Sequence, residues 1–218
     1  MLIIFDLDGT LLNTIEDLAN ACNHALEQFN FPTHESEAYR FFVGDGVNTL
    51  MMRILPEEHR NEDAVSMLKH EFLKYYSKHA EDCTKPYQGI PELLSNLQKQ
   101  GHQLAVASNK MHAATVEIVH KYFPDIQFVA VLGQREGIPV KPAPNIINEI
   151  IEMTGVAKSD AVFVGDTNVD VNTALNAELN FIGVLWGFRP KAELEANGAK
   201  HFVEKPEEIL EMVAIGRN

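Results

Sequence analysis

The sequence has few cysteines and no long apolar run. Its 218 residues include two cysteines, Cys22 and Cys83, which are too few for a disulfide framework and lack the spacing of a zinc site. This composition is typical of proteins of the reducing cytoplasm. No stretch approaches the roughly 18 consecutive apolar residues of a membrane span, and no basic segment precedes an apolar run at the N-terminus. We therefore expect a cytoplasmic protein without a membrane partner.

Positive charge is also scarce. The chain has 18 lysine and arginine residues against 31 aspartate and glutamate residues, so its formal net charge is −13 with histidine neutral. Binding to a nucleic-acid backbone is driven by lysine and arginine side chains that displace counterions. The charge balance therefore argues against a nucleic-acid partner. Apolar residues make up 45% of the chain, which is enough for an ordinary globular core.

Short apolar runs alternate with helical patterns over most of the chain. This alternation is typical of βα units, in which helices cover both faces of a parallel sheet. We therefore predict an α/β fold with a doubly wound, Rossmann-like parallel sheet. The predicted strands are Leu2–Phe5, Leu104–Ala107, Phe128–Val131, Ala161–Val164 and Phe181–Val184, and the predicted helices span about residues 90–100, 111–122, 143–154 and 168–178.

The segment between the first two predicted strands breaks this alternation. Apolar residues recur there at three- and four-residue steps, as they do from Ile15 to Phe29, which is typical of amphipathic helices. We predict a helical cap domain at residues 15–85, inserted into an α/β core domain formed by residues 1–14 and 86–218.

Carboxylates stand directly after two of the predicted strands. Asp6 and Asp8 follow the first strand, and Asp166 and Asp170 follow the fourth. Ligands of open parallel sheets bind beyond the carboxyl ends of the strands, so we expect these carboxylates to meet at one site. Clustered carboxylates repel one another, and a divalent cation would compensate them. A simple turn explains the first pair but not the density of negative charge.

A hydroxyl group and a lysine occupy comparable positions. Ser108 and Asn109 follow the second predicted strand, where a hydroxyl and the amides of a helix N-terminus would bind an anion. Lys141 precedes a predicted helix, and Pro142 beside it restricts the backbone, so its charge can be aimed at a phosphate. Taken singly, Ser108 is more simply a helix N-cap and Lys141 a surface lysine. Their expected convergence with the carboxylates favours a phosphate site.

Four sequence blocks together resemble the haloacid dehalogenase superfamily, in its phosphatase branch. They are Asp-Leu-Asp-Gly-Thr at 6–10, Ser-Asn at 108–109, Lys-Pro at 141–142 and Gly-Asp-Thr-x-x-Asp at 165–170, in the order of that superfamily. The helical segment after the first block resembles the cap of the superfamily. Within the superfamily the phosphoglycolate phosphatases are the most similar, through the segments 44–53 and 183–189.

This resemblance implies a Mg²⁺-dependent phosphatase that hydrolyses a small phosphate monoester, with 2-phosphoglycolate as the first candidate and with the cap closing over it. Asp6 would be the nucleophile that forms an aspartyl-phosphate, and Asp8 would be the acid and base. We expect a monomer or a homodimer. Mg²⁺ would be bound by Asp6, Asp166, the backbone carbonyl of Asp8, and Asp170, the last either directly or by supporting the other ligands. Phosphate would be bound by Thr10, Ser108, Asn109 and Lys141. Substrate would be selected by Gly44, Gly46, Arg53 and Arg189.

Other protein classes use similar residues. A phospho-acceptor signalling domain has carboxylates, a hydroxyl residue and a lysine at strand ends, but it lacks a base two residues after the acceptor and lacks a helical insert. A dehalogenase lacks an aspartate at the position of Asp8. A phosphomutase, a pyrophosphatase or a nucleotidase would need the same core residues, so the sequence leaves these alternatives open.

Overall fold

The computed structural model describes residues 1–215 as two compact units. The first, which we name the core unit, combines Met1–Leu12 with the described chain from Pro86 onward. The second, the helical unit, is Asn13–Lys85. No helix among the described residues is long and apolar enough to cross a membrane.

The described residues form eight strands and ten α-helices. The strands are β1 (Leu2–Phe5), β2 (Leu12–Asn13), β3 (Lys85–Pro86), β4 (Gln103–Met111), β5 (Phe128–Gln134), β6 (Ala161–Gly165), β7 (Asn180–Val184) and β8 (Phe202–Val203). The helices are α1 (Ile15–Gln28), α2 (Tyr39–Phe42), α3 (Val47–Ile54), α4 (Glu62–His79), α5 (Ile90–Lys99), α6 (His112–Tyr122), α7 (Asn145–Thr154), α8 (Asn168–Ala177), α9 (Lys191–Ala196) and α10 (Glu208–Ile215).

A six-stranded parallel sheet organises the core unit. Its strand order is β5-β4-β1-β6-β7-β8, while β2 and β3 pair separately as a two-stranded sheet. Helices α5, α6 and α10 pack on one face of the large sheet, and α7, α8 and α9 pack on the other. The predicted doubly wound α/β fold is therefore confirmed.

The central position of β1 in the sheet explains why its sequence is apolar throughout. Successive side chains of a strand point to opposite faces, and both faces of β1 are covered. Ile3 and Phe5 pack with the α5 side of the sheet, whereas Leu2 and Ile4 pack with the α7 side. All four side chains are fully buried. Each contributes about 1.5 to 3 kcal/mol to stability by its removal from water.

Strand β4 is longer than predicted. It continues past Ala107 because Met111 pairs in register with Gln134 of β5. Ser108 therefore lies in extended chain before α6, and it does not cap that helix or adjoin its first turn. The expectation that a helix N-terminus lies beside Ser108 is wrong.

In the helical unit, α1 packs against α4 and buries the positions that its spacing predicted, among them Leu18, Cys22 and Leu26. A buried carboxylate joins the two ends of the unit. Asp17 of α1 accepts hydrogen bonds from the backbone N–H groups of Cys83 and Thr84, at donor–acceptor distances from 2.8 to 3.1 Å. These bonds satisfy a buried charge that would otherwise destabilise the fold.

Candidate active site

The candidate site lies at the carboxyl edge of the large sheet, beyond β1, β4 and β6. The chain builds β4 and β5 on one side of β1 and then crosses to β6 on the other side. Such a switch point leaves a crevice beyond the strand ends, where α/β proteins bind ligands. Asp6 follows β1 there, and its backbone N–H donates to the carbonyl of Val164 in β6 at 2.9 Å. Asp166 directly follows β6, so the sheet itself places the two carboxylates side by side.

Three buried carboxylates converge at this edge. One oxygen each from Asp6, Asp166 and Asp170 lies within 4.8 Å of the others. Buried carboxylate oxygens at this spacing are the hard ligands that a divalent cation takes. Asp8 was expected to contribute its backbone carbonyl, and its side chain is half-buried and points to a different partner, described below. The cluster thus fits a divalent cation.

Asp166 is held by donors from two distant segments. The Thr10 hydroxyl donates to Asp166 Oδ1 at 2.9 Å, and the Phe188 N–H donates to Oδ2 at 2.7 Å. Gly9, with a φ of +91°, and Gly187 both pass so close that a Cβ atom at either position would overlap the Asp166 carboxyl group. Thr10, which was predicted to bind phosphate, therefore supports a candidate metal ligand in this structure.

Lys141 joins the cluster as its counter-charge. Its ammonium donates to Asp6 Oδ1 at 2.7 Å, to Asp170 Oδ1 at 2.7 Å and to the Ala107 carbonyl at 3.1 Å. These bonds use all three donors of an ammonium group. The side chain is only 2% exposed. The alternative interpretation of Lys141 as a surface lysine is therefore wrong.

Asp170 is braced on both oxygens. Besides Lys141 on Oδ1, its Oδ2 accepts from the hydroxyl and the N–H of Thr167, at 2.7 and 3.1 Å. In return the Thr167 hydroxyl accepts from the Asp170 N–H, which completes a capping box at the start of α8. The first turn of this helix therefore aims Asp170 back toward the strand ends.

The buried charges of the cluster alter one another's ionisation. Burial, together with the charge of Asp170, raises the pKa of Asp6 well above its ordinary value. Burial and Asp170 also raise the pKa of Asp166 to about 7. Burial lowers the pKa of Lys141, but the charges of Asp170 and Asp6 outweigh it and raise this pKa. One ammonium against three carboxylates leaves a surplus of negative charge, which a bound cation would neutralise.

The raised pKa values predict that the metal-free protein loses stability as the pH rises. A carboxyl whose pKa is raised by folding stabilises the fold fully below its unfolded pKa, which is near 4. This stabilisation is lost as the pH rises through the folded-state pKa, which is about 7 for Asp166. Between about pH 5 and pH 8 we expect Asp166 to account for a loss of about 2 to 3 kcal/mol, or roughly 5 to 10 °C in Tm. Thermal unfolding in a chelating buffer measures this loss.

The matched variant for that measurement is Asp166→Asn, which keeps the shape of the side chain and removes the titrating group. Its Tm should depend less on pH than that of the wild type. Added divalent cation should recover more stability at the higher pH, because the ionised cluster binds it. A wild-type Tm that stays level or rises over this range would contradict the predicted sign.

Ser108 and Asn109, both buried, come to the same edge from β4. The Ser108 hydroxyl oxygen accepts from the Lys110 N–H at 3.2 Å, so its proton remains available for donation to a ligand. Asn109 bonds instead to the backbone of Lys141, at 2.8 and 3.0 Å.

Lys110 is a site residue that sequence reasoning missed. Its ammonium lies 3.2 Å from Asp8 Oδ1, and its side chain is 6% exposed. The signal that would have identified it is its position directly after Ser108 and Asn109. The site therefore contains a second buried cation beside Lys141, and this cation faces the aspartate that was predicted to be the acid and base.

Three predicted specificity residues lie in the helical unit. Gly44 and Gly46 form the turn between α2 and α3, with φ values of +118° and +82° that favour glycine. Arg53 of α3 closes this turn: its Nη1 donates to the Phe42 carbonyl at 2.9 Å, and its Nη2 lies 2.6 Å from Asp45 Oδ2. The arginine is thus an ordered, half-buried cation.

The fourth predicted specificity residue, Arg189, lies in the core unit after β7. Its side chain is buried, and its Nε donates to Glu193 Oε1 at 3.2 Å. Burial raises the pKa of Asp166, and the charge of Arg189 acts in the opposite direction. Arg189 therefore supports the ionised form of the carboxylate cluster.

Comparison with known proteins agrees with this fold. The haloacid dehalogenase-like hydrolase family matches residues 3–184. The chain therefore belongs to this family, as its sequence blocks predicted.

Relatives define the class further. The chain is 30% identical to a phosphoglycolate phosphatase of Vibrio parahaemolyticus over 219 residues, which cover 98% of this chain and 96% of the relative. It is 30% identical to one of Mesorhizobium japonicum over 189 residues, covering 86% and 83%. A crystal structure from Lactobacillus delbrueckii subsp. bulgaricus, provisionally assigned as a phosphoglycolate phosphatase, matches at 33% identity with a TM-score of 0.92, covering 97% of both chains. The protein is thus an enzyme, a phosphoric monoester hydrolase, and not a signalling domain.

Proposed function

We propose that this enzyme is a Mg²⁺-dependent phosphatase that hydrolyses 2-phosphoglycolate through an aspartyl-phosphate intermediate. The observation that carries the proposal is the placement of Asp6. Its carboxylate is buried beyond the central strand, bonded to Lys141, and within 4.8 Å, oxygen to oxygen, of Asp166 and Asp170. A carboxylate oriented in this way is a usable nucleophile toward phosphorus.

Mg²⁺ is the proposed cation because the carboxylate cluster supplies hard oxygen ligands. Asp6, Asp166 and the backbone carbonyl of Asp8 would hold it. Asp170 would bind it directly or would support the other ligands through Lys141, whose ammonium bonds to both Asp170 and Asp6. When bound, the cation would offset the negative charge that the carboxylates share with the phosphoryl group.

The chemistry divides between two aspartates. An oxygen of Asp6 attacks phosphorus, and the bond to the leaving oxygen breaks while Asp8 gives that oxygen a proton. Asp8 then takes a proton from water, whose oxygen attacks phosphorus and releases phosphate and Asp6. Lys110, 3.2 Å from Asp8, would orient it for both transfers.

We assign the stabilisation of negative charge in the transition state to Lys141 and Ser108. The Lys141 ammonium is already fixed on the nucleophile, so it needs little reorganisation as negative charge develops on the phosphoryl oxygens. The Ser108 hydroxyl can donate to the same oxygens. We assign no direct phosphate contact to Thr10, because its hydroxyl is bonded to Asp166.

The proposed substrate rests on the names of relatives that match most of the chain. For so small a substrate, selectivity must come from contacts to its carboxylate. We propose that residues 15–85 act as a cap domain, and that Gly44, Gly46 and Arg53 in it, with Arg189, select the substrate.

A turnover screen of small phosphate esters tests the substrate assignment. It compares 2-phosphoglycolate with hexose phosphates, nucleotides, pyrophosphate and an aryl phosphate, and it also assays phosphate transfer between sugar hydroxyls to test for mutase activity. We expect 2-phosphoglycolate to have the highest kcat/KM. A competitor that exceeds it tenfold, equivalent to about 1.4 kcal/mol of transition-state preference, would reject the substrate and leave the phosphatase chemistry standing.

Arg53→Ala is expected to impair the reaction selectively. Removal of its charge should lower kcat/KM for 2-phosphoglycolate by about ten- to a hundredfold, the range of one charge-assisted hydrogen bond, and should leave an aryl phosphate nearly unaffected. The control is Arg40→Ala, which removes a half-buried arginine paired with Glu37 in the same unit. Equal losses on both substrates, or no change on either, would mean that Arg53 does not recognise the carboxylate.

A further inference from the structure

Asn109 bonds to Lys141 through both groups of its side-chain amide. We propose that Asn109 is a positioning residue that sets the backbone of Lys141, and not the phosphate ligand that the sequence resemblance implied. The proposal rests on the role given above to Lys141 as the cation at the reacting phosphoryl group.

The two hydrogen bonds between Asn109 and Lys141 resemble those that pair residues on adjacent β-strands. The Lys141 N–H donates to Asn109 Oδ1 at 2.8 Å, and Asn109 Nδ2 donates to the Lys141 carbonyl at 3.0 Å. The two residues are 32 positions apart, and they are 8% and 2% exposed. Because the N–H and the carbonyl of Lys141 are both bonded to Asn109, the backbone of Lys141 is fixed in position and in rotation about the chain.

The segment that carries Lys141 needs such an anchor. It has no strand or helix between β5 and α7, and residues 136–139 within it are exposed. Arg135 at its start is held by a two-point ion pair with Glu149 of α7, with Nη1 and Oε1 2.8 Å apart. Near its end Asn176 donates to the Pro142 carbonyl from the surface, at 2.9 Å. Asn109 supplies the tie from the sheet to the lysine itself.

The Lys141 ammonium has little tolerance for displacement. It must reach Asp6 and Asp170 together, each at 2.7 Å, while it bonds to the Ala107 carbonyl. A misplacement of about 1 Å in such a group lowers activity by about a hundredfold. A rigid backbone at Lys141 therefore affects catalysis directly.

The two possible roles of Asn109 predict different results in a double-mutant cycle. The wild type, Asn109→Ala, Lys141→Ala and the double variant are assayed for kcat/KM with an aryl phosphate, and for inhibition by inorganic phosphate. We expect Asn109→Ala alone to lose about ten- to a hundredfold in kcat/KM and to cause no further loss when Lys141 is already alanine. The same loss in both backgrounds would overturn the proposal, because Asn109 would then act on the phosphate independently of Lys141.

Two further variants keep the test decisive. Asn109→Asp retains the acceptor for the Lys141 N–H but loses the donor to the Lys141 carbonyl. If Asn109→Ala folds poorly, Asn109→Asp replaces it in the cycle. It should then lower kcat/KM in the wild-type background and cause no further loss when Lys141 is alanine. Asn176→Ala removes a side-chain bond to the neighbouring Pro142 and should stay within about twofold of the wild type. A loss as large as that of Asn109→Ala would show general loosening of the segment and overturn the specific assignment. The aryl phosphate keeps the result independent of the proposed natural substrate.

Discussion

Replacement of Asp6 by asparagine abolishes turnover while the fold survives: this is the largest effect that we expect of any single change. An amide keeps the shape of the carboxylate but is not a competent nucleophile, and loss of a nucleophile costs several orders of magnitude in kcat. The fold should survive because the asparagine oxygen can still accept from Lys141. Steady-state kcat with 2-phosphoglycolate and an aryl phosphate measures the loss.

The stability of the Asp6 variant provides an internal control. Burial and Asp170 raise the pKa of Asp6, so its negative charge is unfavourable in the metal-free fold. Asp6→Asn should therefore unfold in chelator at pH 8 at a Tm no lower than that of the wild type. Asp8→Asn is the comparison variant: it should also fail in turnover, yet still bind inorganic phosphate. More than about a tenth of wild-type activity in the Asp6 variant would refute a covalent mechanism.

Removal of Mg²⁺ is the second change with a large expected effect. Three buried carboxylates face one lysine in the cluster, and an incoming phosphate adds further negative charge. Two like charges at about 4 Å repel by about 4 kcal/mol at the effective dielectric constant of a protein surface. Without a cation, we expect both phosphate binding and turnover to be lost.

The measurement is kcat/KM after exhaustive chelation and again after stepwise return of Mg²⁺, which should restore activity. Calcium should not restore it, because calcium takes more ligands in looser geometry and would engage both oxygens of Asp6. Asp170→Asn serves as the companion variant, and it should raise the Mg²⁺ concentration needed for half-maximal activity. Full activity in the chelated enzyme would contradict the proposed role of the cluster.

Much of the fold followed from local sequence patterns. The apolar run Leu2–Phe5 predicts a doubly covered strand, since a strand buried on both faces has no position for a polar side chain. The strand ends then predict the site, because parallel strands bring their carboxyl ends to one edge. Asp6, Ser108 and Asp166 could be assigned to one edge for this reason.

The partners within that edge could not be predicted in the same way. Thr10 bonds to a residue 156 positions away, and Lys110 to one 102 positions away. Such pairings depend on the offset between neighbouring strands and on where a loop returns to the sheet, which sequence periodicity does not encode. The extension of β4 beyond Ala107 likewise depends on its partner strand β5.

The sequence by itself thus determined the class of fold, the edge that carries the candidate site and the residue types gathered there, because these follow from burial and strand direction. Only the tertiary structure decided which partner each of these side chains contacts. It turned Thr10 toward Asp166, placed Lys110 beside Asp8 and bound Asn109 to the backbone of Lys141. The physical reason is that a hydrogen bond requires its two atoms within about 3 Å, and packing between distant segments sets that distance.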